Sequence, residues 1–267
     1  MRRFSHMQTI EIEFREEIIW ITLNRPNEFN ALTEQMLGEL TKVIDNVKHD
    51  RAVRAVVITG KGKAFCYGLE FREIEDLTIE EKRVKIPVLL KKFQSIIYAL
   101  AMLDRPVIAC LNGFATGAGL DLATACDYRV ASQGVKLSAA YVKMALIPDG
   151  GGTYFLPRLV GYGRAMDMVT RGTVVTAEEG HAMGLVTRVV PQEKLTEETT
   201  AMAKELAAGP TRAIALAKGA LLRNLGTDLE KALTQEGQIQ MMCFASNDHA
   251  EAVAAQKEKR KPRFKGY

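Results

Sequence analysis

The sequence predicts a single α/β domain whose chain ends in a helical extension. Strand and helix patterns alternate as far as Val186–Val190, and the segments from Glu193 onward all have a helical pattern. A length of 267 residues and a hydrophobic content of 47% are enough for one sizeable core. We therefore place a core over residues 1–195 and a helical region over residues 196–267.

The N-terminal part begins with a hairpin pattern and continues into an amphipathic helix. Ile10, Ile12 and Phe14 alternate with polar residues, and the apolar run Ile18–Leu23 follows after a charged turn. Thr33 is suited to cap the next helix. The apolar face of this helix is predicted to contain Met36, Leu40, Val43 and Val47.

The middle of the chain has two buried strands with a long helix between them. Val53–Thr59 is a nearly continuous apolar run, which is typical of a strand that is covered on both faces. The polar stretch Arg72–Lys85 predicts an exposed segment, and Pro87 limits how early the following helix can begin. That helix ends before Pro106–Leu111, the second apolar run, and Lys136–Ala145 further along is only weakly patterned.

The remaining elements are two short strands, a capped helix and four terminal helices. The strands are predicted at Tyr128–Ala131 and Val186–Val190, and Thr176 is suited to cap the short helix between them. The terminal helices are predicted at Leu195–Ala208, Thr211–Leu225, Leu229–Ala245 and Ala250–Glu258.

A glycine-rich segment after the second buried strand indicates a site for negative charge. Asn112-Gly113 ends the strand, and Gly117-Ala118-Gly119 exposes bare backbone just before Leu120–Ala125, which begins a helix. Peptide N–H groups at the start of a helix have no partner within it, and the helix dipole favours an anion there. The segment is therefore suited to hold an oxyanion, although a tight turn without a ligand would have similar glycines.

Composition and charge argue against several classes of function. The formal charge of +4 is too mild for a nucleic-acid surface, and much of the excess lies in residues 257–265. The four cysteines lack CxxC spacing and the four histidines lack metal-binding spacing, so we expect reduced thiols and no metal site. No signal peptide or membrane span follows the basic Met1–Met7, which predicts a cytoplasmic protein.

An ordered set of motifs spans almost the whole chain. They are Asn24-Arg25-Pro26 with Asn30-Ala31-Leu32, Ala64-Phe65-Cys66-Tyr67-Gly68, Asn112-Gly113 to Gly119, the run Ile147–Thr153, the run Leu156–Gly161, and Ala182 to Val190. In this order they resemble the enoyl-CoA hydratase/isomerase family, also called the crotonase family. The resemblance implies a crotonase-like spiral of ββα units that binds acyl-CoA, followed by a helical C-terminal region that builds homotrimers or hexamers. It also implies no metal or redox cofactor, because coenzyme A is part of the substrate.

The resemblance also assigns the groups that would hold the thioester oxygen. By motif position, the two donors are the backbone N–H groups of Leu69 and Ala118, which follow Gly68 and Gly117. Two fixed donors of this kind stabilise the negative charge of a thioester enolate. The other residues that the resemblance places near the substrate are Ala64, Cys66, Tyr141 and, in the basic C-terminal tail, Lys261 and Phe264. Tyr141 could instead be a half-buried structural residue, and Cys66, which has no His near it in sequence, has the character of a small packing residue.

The acid and base positions differ from those of the family's hydratases, which orient a water molecule between two glutamates. The first position holds Asp121, which is one methylene shorter, and the second holds Tyr141, which is not a carboxylate. Asp149 occupies a position at which several isomerases and an aromatic dehalogenase of the family have a catalytic carboxylate. An Asp before a glycine run is also a common helix N-cap, and Asp121 in a first turn would complement a helix dipole.

Three functions are compatible with the sequence. We favour an enoyl-CoA isomerase in which Asp149 removes a proton from C2 of a 3-enoyl thioester and returns it at C4. An enoyl-CoA hydratase would use Asp121 and Asp149 together. A protein that has lost its chemistry would bind acyl-CoA without turnover. Nucleic acids and membranes are not expected as partners.

Overall fold

Two β-sheets form the centre of the protein in a computed structural model that describes residues 7–266. The predicted basic segment at the N-terminus therefore lies almost wholly outside the described residues. The strands are β1 (Ile10–Arg15), β2 (Ile18–Leu23), β3 (Ala55–Gly60), β4 (Ala64–Cys66), β5 (Val107–Leu111), β6 (Phe114–Thr116), β7 (Tyr128–Ser132), β8 (Lys136–Ser138), β9 (Val174–Thr176) and β10 (Arg188–Val190). The helices are α1 (Glu34–His49), α2 (Ile79–Ala101), α3 (Ala118–Thr124), α4 (Gly152–Val160), α5 (Tyr162–Arg171), α6 (Ala177–Ala182), α7 (Leu195–Ala208), α8 (Thr211–Asn224), α9 (Leu229–Phe244) and α10 (Asn247–Lys257).

The order of the strands explains the spiral. The large sheet has the order β1-β2-β3-β5-β7-β10, and its strands are parallel from β2 onward. The small sheet has the order β4-β6-β8-β9, in which β4, β6 and β8 are parallel. Because β3, β5 and β7 join the large sheet while the strand after each joins the small one, the chain winds as successive ββα units. The predicted fold class is therefore confirmed.

The large sheet is buried on both faces, which explains the continuous apolar runs. In β2, Ile19 and Ile21 belong to the main core, whereas Ile18 and Trp20 belong to a second core on the opposite face. Helix α7 covers that second face with Leu195, Ala203 and Ala207. The first helix of the predicted C-terminal region is thus packed on the sheet, and the division at residue 195 stays a prediction.

The prediction that Pro87 limits the start of the long helix is wrong. Helix α2 begins at Ile79, because Thr78 and Glu81 form a capping box: the Thr78 hydroxyl accepts from Glu81 N, and the Glu81 carboxylate accepts from Thr78 N. Pro87 lies inside the helix and contributes no N–H. A strong N-terminal cap therefore outweighs the lost hydrogen bond.

The three short parallel strands of the small sheet were not predicted. β4, β6 and β8 have three residues each, which is too few for an alternating pattern to be visible. By contrast, the four terminal helices agree closely with the predicted bounds. Within residues 7–266, no helix has both the length and the apolar character needed to cross a membrane.

Candidate active site

The parallel strands of the small sheet bring the predicted site residues to one edge. Ala64 pairs with Phe114 across β4 and β6, and Thr116 pairs with Ser138 across β6 and β8. Parallel strands end at the same edge of a sheet, so the loops that follow these strands lie side by side. Those loops contain Leu69, Ala118 and Tyr141.

Two backbone N–H groups at this edge have no protein acceptor. Leu32 N donates to Gly68 O at 2.7 Å and Glu70 N donates to Leu32 O at 3.0 Å, a pairing that leaves out the Leu69 N–H. Ala118 is the first residue of α3, where the helix itself offers no acceptor. Among residues 7–266, neither the Leu69 N–H nor the Ala118 N–H donates to a protein oxygen.

Glycines allow the two loops to approach each other closely. Gly68 has φ +119°, and a Cβ on it would lie 3.2 Å from Thr116 O and 3.6 Å from Ala118 N. At Gly119 a Cβ would lie only 2.1 Å from Cys66 O, which shows that α3 starts directly against the end of β4. Because Gly68 and Gly119 have no side chain, the two segments can approach each other closely. The N–H groups of Leu69 and Ala118 therefore lie in one small region.

Gly119→Ala is expected to destabilise the fold by about 1–3 kcal/mol or more, because the nearest atoms to the new Cβ, Cys66 O and C, belong to the backbone and cannot yield as a flexible side chain would. The matched control is Gly38→Ala in the interior of α1, where a Cβ has no heavy atom within 4 Å. There the change is expected to stabilise the protein by about 0.5–1 kcal/mol, since alanine favours a helix over glycine. Chemical denaturation of both variants measures the effect, and equal stabilities would contradict the close packing at Gly119.

Two residues that were predicted to contact substrate are buried in β4. The Ala64 carbonyl oxygen accepts from Asn30 Nδ2 at 2.8 Å and from Asn112 Nδ2 at 3.2 Å, so both of its lone pairs have protein donors. Cys66 has no exposed surface, and burial raises the pKa of its thiol to about 12. Cys66 therefore acts as a packing residue, and substrate contact by Ala64 stays a prediction from the resemblance alone.

A phenol and two carboxyl groups form the polar centre of the site. The Tyr141 hydroxyl lies 2.7 Å from Asp121 Oδ2 and 3.1 Å from Asp149 Oδ1. Gly150 N also donates to Asp121 Oδ2 at 3.0 Å. The structure thus brings together Asp121, Tyr141 and Asp149, three of the predicted residues.

Burial controls the ionisation of this cluster. It raises the pKa of Asp121 to about 7, against the opposing effect of the hydrogen bonds from Tyr141 and Gly150. Burial also raises the pKa of Asp149, while the hydrogen bond from Tyr141 lowers it. The pKa of Tyr141 is raised by burial and by both carboxylates, so this residue stays a neutral phenol.

Asp149 faces a cavity of about 660 Å³, within the size range of small-molecule sites. Of the described residues that line this cavity, Asp149 is the only carboxylate. Asp121 has no exposed surface and does not line it. The interpretation of Asp149 as an N-cap is wrong, because α4 begins at Gly152 and is capped by Gly151 in a left-handed conformation.

The walls of this cavity were missed by sequence reasoning. One face of α2 contributes Gln94, Ile97, Tyr98 and Ala101, and the other walls contain Met102, Tyr154, Phe155, Leu222 and Arg223. Gln94 also fixes the Asp149 loop, because its Nε2 donates to the Asp149 carbonyl at 3.0 Å. The helical spacing of the α2 residues was a usable signal.

The predicted C-terminal contacts are not at this site within one chain. Phe264 lines a pocket with Pro210, Cys243 and His249, and its carbonyl accepts from Arg54 at 3.0 Å. Lys261 is exposed and does not line the cavity that contains Asp149. Contact of Lys261 and Phe264 with coenzyme A stays a prediction.

Comparison with known proteins places this geometry in a family context. A model of the family described as enoyl-CoA hydratase/isomerase matches residues 13–267. A probable enoyl-CoA hydratase of Rhodobacter capsulatus is 37% identical over 260 residues, which cover 97% of this chain and 98% of that protein. The 1,2-epoxyphenylacetyl-CoA isomerase of Escherichia coli is 33% identical over 268 aligned residues. The alignment covers 97% of this chain and 99% of that protein. The crystal structure of an enoyl-CoA hydratase from Bacillus anthracis matches with a TM-score of 0.92 at 33% identity, covering 97% of this chain and 100% of that chain.

Proposed function

Because this chain belongs to the enoyl-CoA hydratase/isomerase family, we propose that it is an enoyl-CoA isomerase in which Asp149 transfers the proton. The observation that carries the proposal is that Asp149 alone, among the described residues lining the cavity, has a carboxylate. Water addition by the family's route needs two enzyme carboxylates that face the substrate. A double-bond shift needs only one group that accepts and returns a proton. The predicted family is confirmed, and the choice of reaction is our proposal.

The proposed reaction begins with the thioester oxygen held by the N–H groups of Leu69 and Ala118. Asp149 takes the proton from C2 of a 3-enoyl thioester, and the electron pair of that C–H bond moves toward the oxygen to form a dienolate. The two N–H donors stabilise the negative charge where it develops. Asp149 then returns the proton at C4, so that a 2-enoyl thioester leaves and the carboxylate is restored.

The apolar walls beside Asp149 support a carbon chain or ring as the acyl group. Ile97, Phe155 and Leu222 provide aliphatic and aromatic surface, and Tyr98 and Tyr154 provide rings with a polar end. Removing apolar surface from water is favourable by about 25 cal/mol per Å². We therefore propose that the acyl portion occupies this cavity while its thioester lies at the edge of the small sheet.

Hydration is the second candidate, and one observation favours it. The Asp121 and Asp149 carboxyl groups belong to a single hydrogen-bonded cluster, so both are near the reacting carbons in the proposed pose. The burial of Asp121 behind Tyr141 weighs against it, because a water molecule between the two acids would need access to both.

Separate incubation with 3-enoyl-CoA and 2-enoyl-CoA tests the proposal. We expect conversion of the 3-enoyl thioester to the 2-enoyl thioester, and hydration of the latter slower by at least about 100-fold, the low end of what a positioned acid or base contributes. Hydration as fast as the double-bond shift would establish the hydratase. Turnover of neither substrate, with Asp149→Ala leaving acyl-CoA affinity unchanged, would establish a binding protein.

We also propose that the C-terminal helices assemble the chain into homotrimers or hexamers, as the resemblance implies. Large apolar side chains on and between α8 and α9 are exposed in the single chain: Leu221, Leu225, Leu229, Leu233, Met241 and Phe244. A group of this kind is typical of a surface that another protein surface covers.

A further inference from the structure

We propose that Tyr141 joins Asp121 and Asp149 into one proton-sharing unit, in which the two carboxyl groups together hold a single proton that rests on Asp121. This inference rests on the proposed function only for its catalytic consequence. Asp149 is the catalytic residue in it, and Asp121 and Tyr141 are positioning residues that set the charge of Asp149.

The contacts between Tyr141 and the two acids need more hydrogens than the phenol alone supplies. Three oxygen atoms, Asp121 Oδ2, Tyr141 Oη and Asp149 Oδ1, are linked by two contacts of hydrogen-bond length, 2.7 and 3.1 Å. A phenol donates one hydrogen at a time, so the hydroxyl of Tyr141 satisfies only one of the two contacts. The second contact needs a hydrogen from a carboxyl group, which then donates to the phenol oxygen. Two ionised carboxylates would leave one of them facing a lone pair.

The surroundings of Asp121 favour the proton on this residue. Its side chain has no exposed surface, and its Oδ1, which lies against Gly152, has no hydrogen bond of normal geometry. The nearby Gly152 N–H lowers the pKa of Asp121, but burial raises it by more. A carboxylate oxygen left in that condition is costly, whereas a neutral carboxyl is tolerated. Asp149 borders the cavity, where water or substrate can reach it. Negative charge is therefore better accommodated on Asp149, and the proton on Asp121.

The surroundings contain little other charge that could override this order. The remaining charged or titratable side chains that line the cavity are Tyr98 of α2, Tyr154 of α4 and the exposed Arg223 of α8. Gly150 and Gly152 lie against Asp121, and Asp149 is the charged neighbour that raises its pKa. Besides burial, the state of each acid thus depends on the Tyr141 hydroxyl, which contacts both of them.

In the proposed reaction, this arrangement keeps Asp149, the base, ionised. With the proton on Asp121, the Tyr141 hydroxyl donates to the Asp149 carboxylate and holds it ionised toward the cavity. When Asp149 accepts the C2 proton it becomes neutral, and the unit briefly holds two protons without any charge in its buried part. Return of the proton at C4 restores the starting state.

Two variants separate this arrangement from a purely structural one. Asp121→Asn keeps the neutral charge of a protonated Asp121, so the acidic limb of the kcat/KM profile is expected to stay within about 0.5 pH unit of the native enzyme. Tyr141→Phe removes the donor to Asp149, so the same limb is expected to move up by about one pH unit. A downward shift of one unit or more in Asp121→Asn would mean that Asp121 is ionised, and an unmoved limb in Tyr141→Phe would mean no coupling; either result overturns the proposal.

An unfolding experiment tests the proton on Asp121 without any turnover. With a folded pKa of about 7 and an unfolded value near 3.8, Asp121 is protonated only in the folded state over that window. Rising pH then stabilises the unfolded state, so the Tm of the native protein relative to Asp121→Asn is expected to fall between about pH 4 and pH 7. A relative Tm that is constant or rises would overturn the inference. If the protein shifts no double bond, the proposed function fails while this measurement still decides the proton. If Asp121→Asn does not fold, Asp121→Ala takes its place in the same comparison with the same expected direction, because it also removes the titrating carboxyl group.

Discussion

Asp149→Asn is expected to lower the kcat of the double-bond shift by about 10²–10⁴-fold, the usual contribution of a positioned acid or base. An amide has nearly the same shape but cannot accept the C2 proton, so KM is expected to change by only a few fold. The measurement is steady-state kinetics with 3-enoyl-CoA. Loss of kcat/KM through KM alone would show that Asp149 binds substrate without transferring the proton.

The matched control is Asp45→Asn, at an exposed position on α1 whose ion pair with Lys48 spans 3.1 Å. Exposed pairs of this kind contribute little, so activity and stability are expected to stay at native values. The pH dependence gives a second check. Burial raises the pKa of Asp149, and the base must be ionised, so activity is expected to fall with decreasing pH at a higher pH than an exposed aspartate would allow.

Ala118→Pro is expected to reduce kcat/KM by about 10²–10³-fold or more, because it removes one of the two proposed oxyanion donors. Proline is well tolerated at the first position of a helix, and Ala118 occupies that position in α3. Gly117, with φ 51° and ψ −126°, has the mirror image of the extended conformation that precedes proline, which only glycine adopts readily. The proline ring would also occupy the space next to the missing hydrogen.

Asn247→Pro serves as the control, since Asn247 is the first residue of α10 and follows Ser246 in an extended conformation. It is expected to retain native activity. Circular dichroism and thermal unfolding of both variants distinguish the loss of a donor from the loss of the fold. A folded Ala118→Pro protein with native turnover would refute the assignment of this N–H to the thioester oxygen.

Local chemistry in the sequence was enough to predict the large sheet and the helices, because their apolar patterns repeat over many residues. It was not enough for β4, β6 and β8, whose three residues each become strands only through pairing with one another. The positions of Leu69 and Ala118 came from a resemblance in motifs. Their closeness follows from the pairing, together with the close approach that Gly68 and Gly119 allow.

The cluster of Asp121, Tyr141 and Asp149 was harder to predict from the sequence than the strands. Asp121, Tyr141 and Asp149 were each named from the sequence, yet Tyr141 was interpreted as a substrate contact or a structural residue, and a link between the acids was not foreseen. Asp121 and Tyr141 are 20 residues apart, and no periodic pattern predicts a hydrogen bond across that distance. The link depends on the parallel pairing of β6 and β8 and on the turn at Gly151, which are properties of the folded chain.

Both proposed donors to the thioester oxygen belong to the main chain, whereas the proposed acid and positioning groups are side chains. Substitution can therefore change the second set without changing the first. Because the main chain supplies these N–H groups, any substitution at Leu69 or Ala118 other than proline leaves the proposed donors in place. In the proposed mechanism, the reaction at the activated carbon instead depends on the side chains at positions 121, 141 and 149. Substitution at those three positions is therefore expected to change the reaction while the two main-chain donors stay in place.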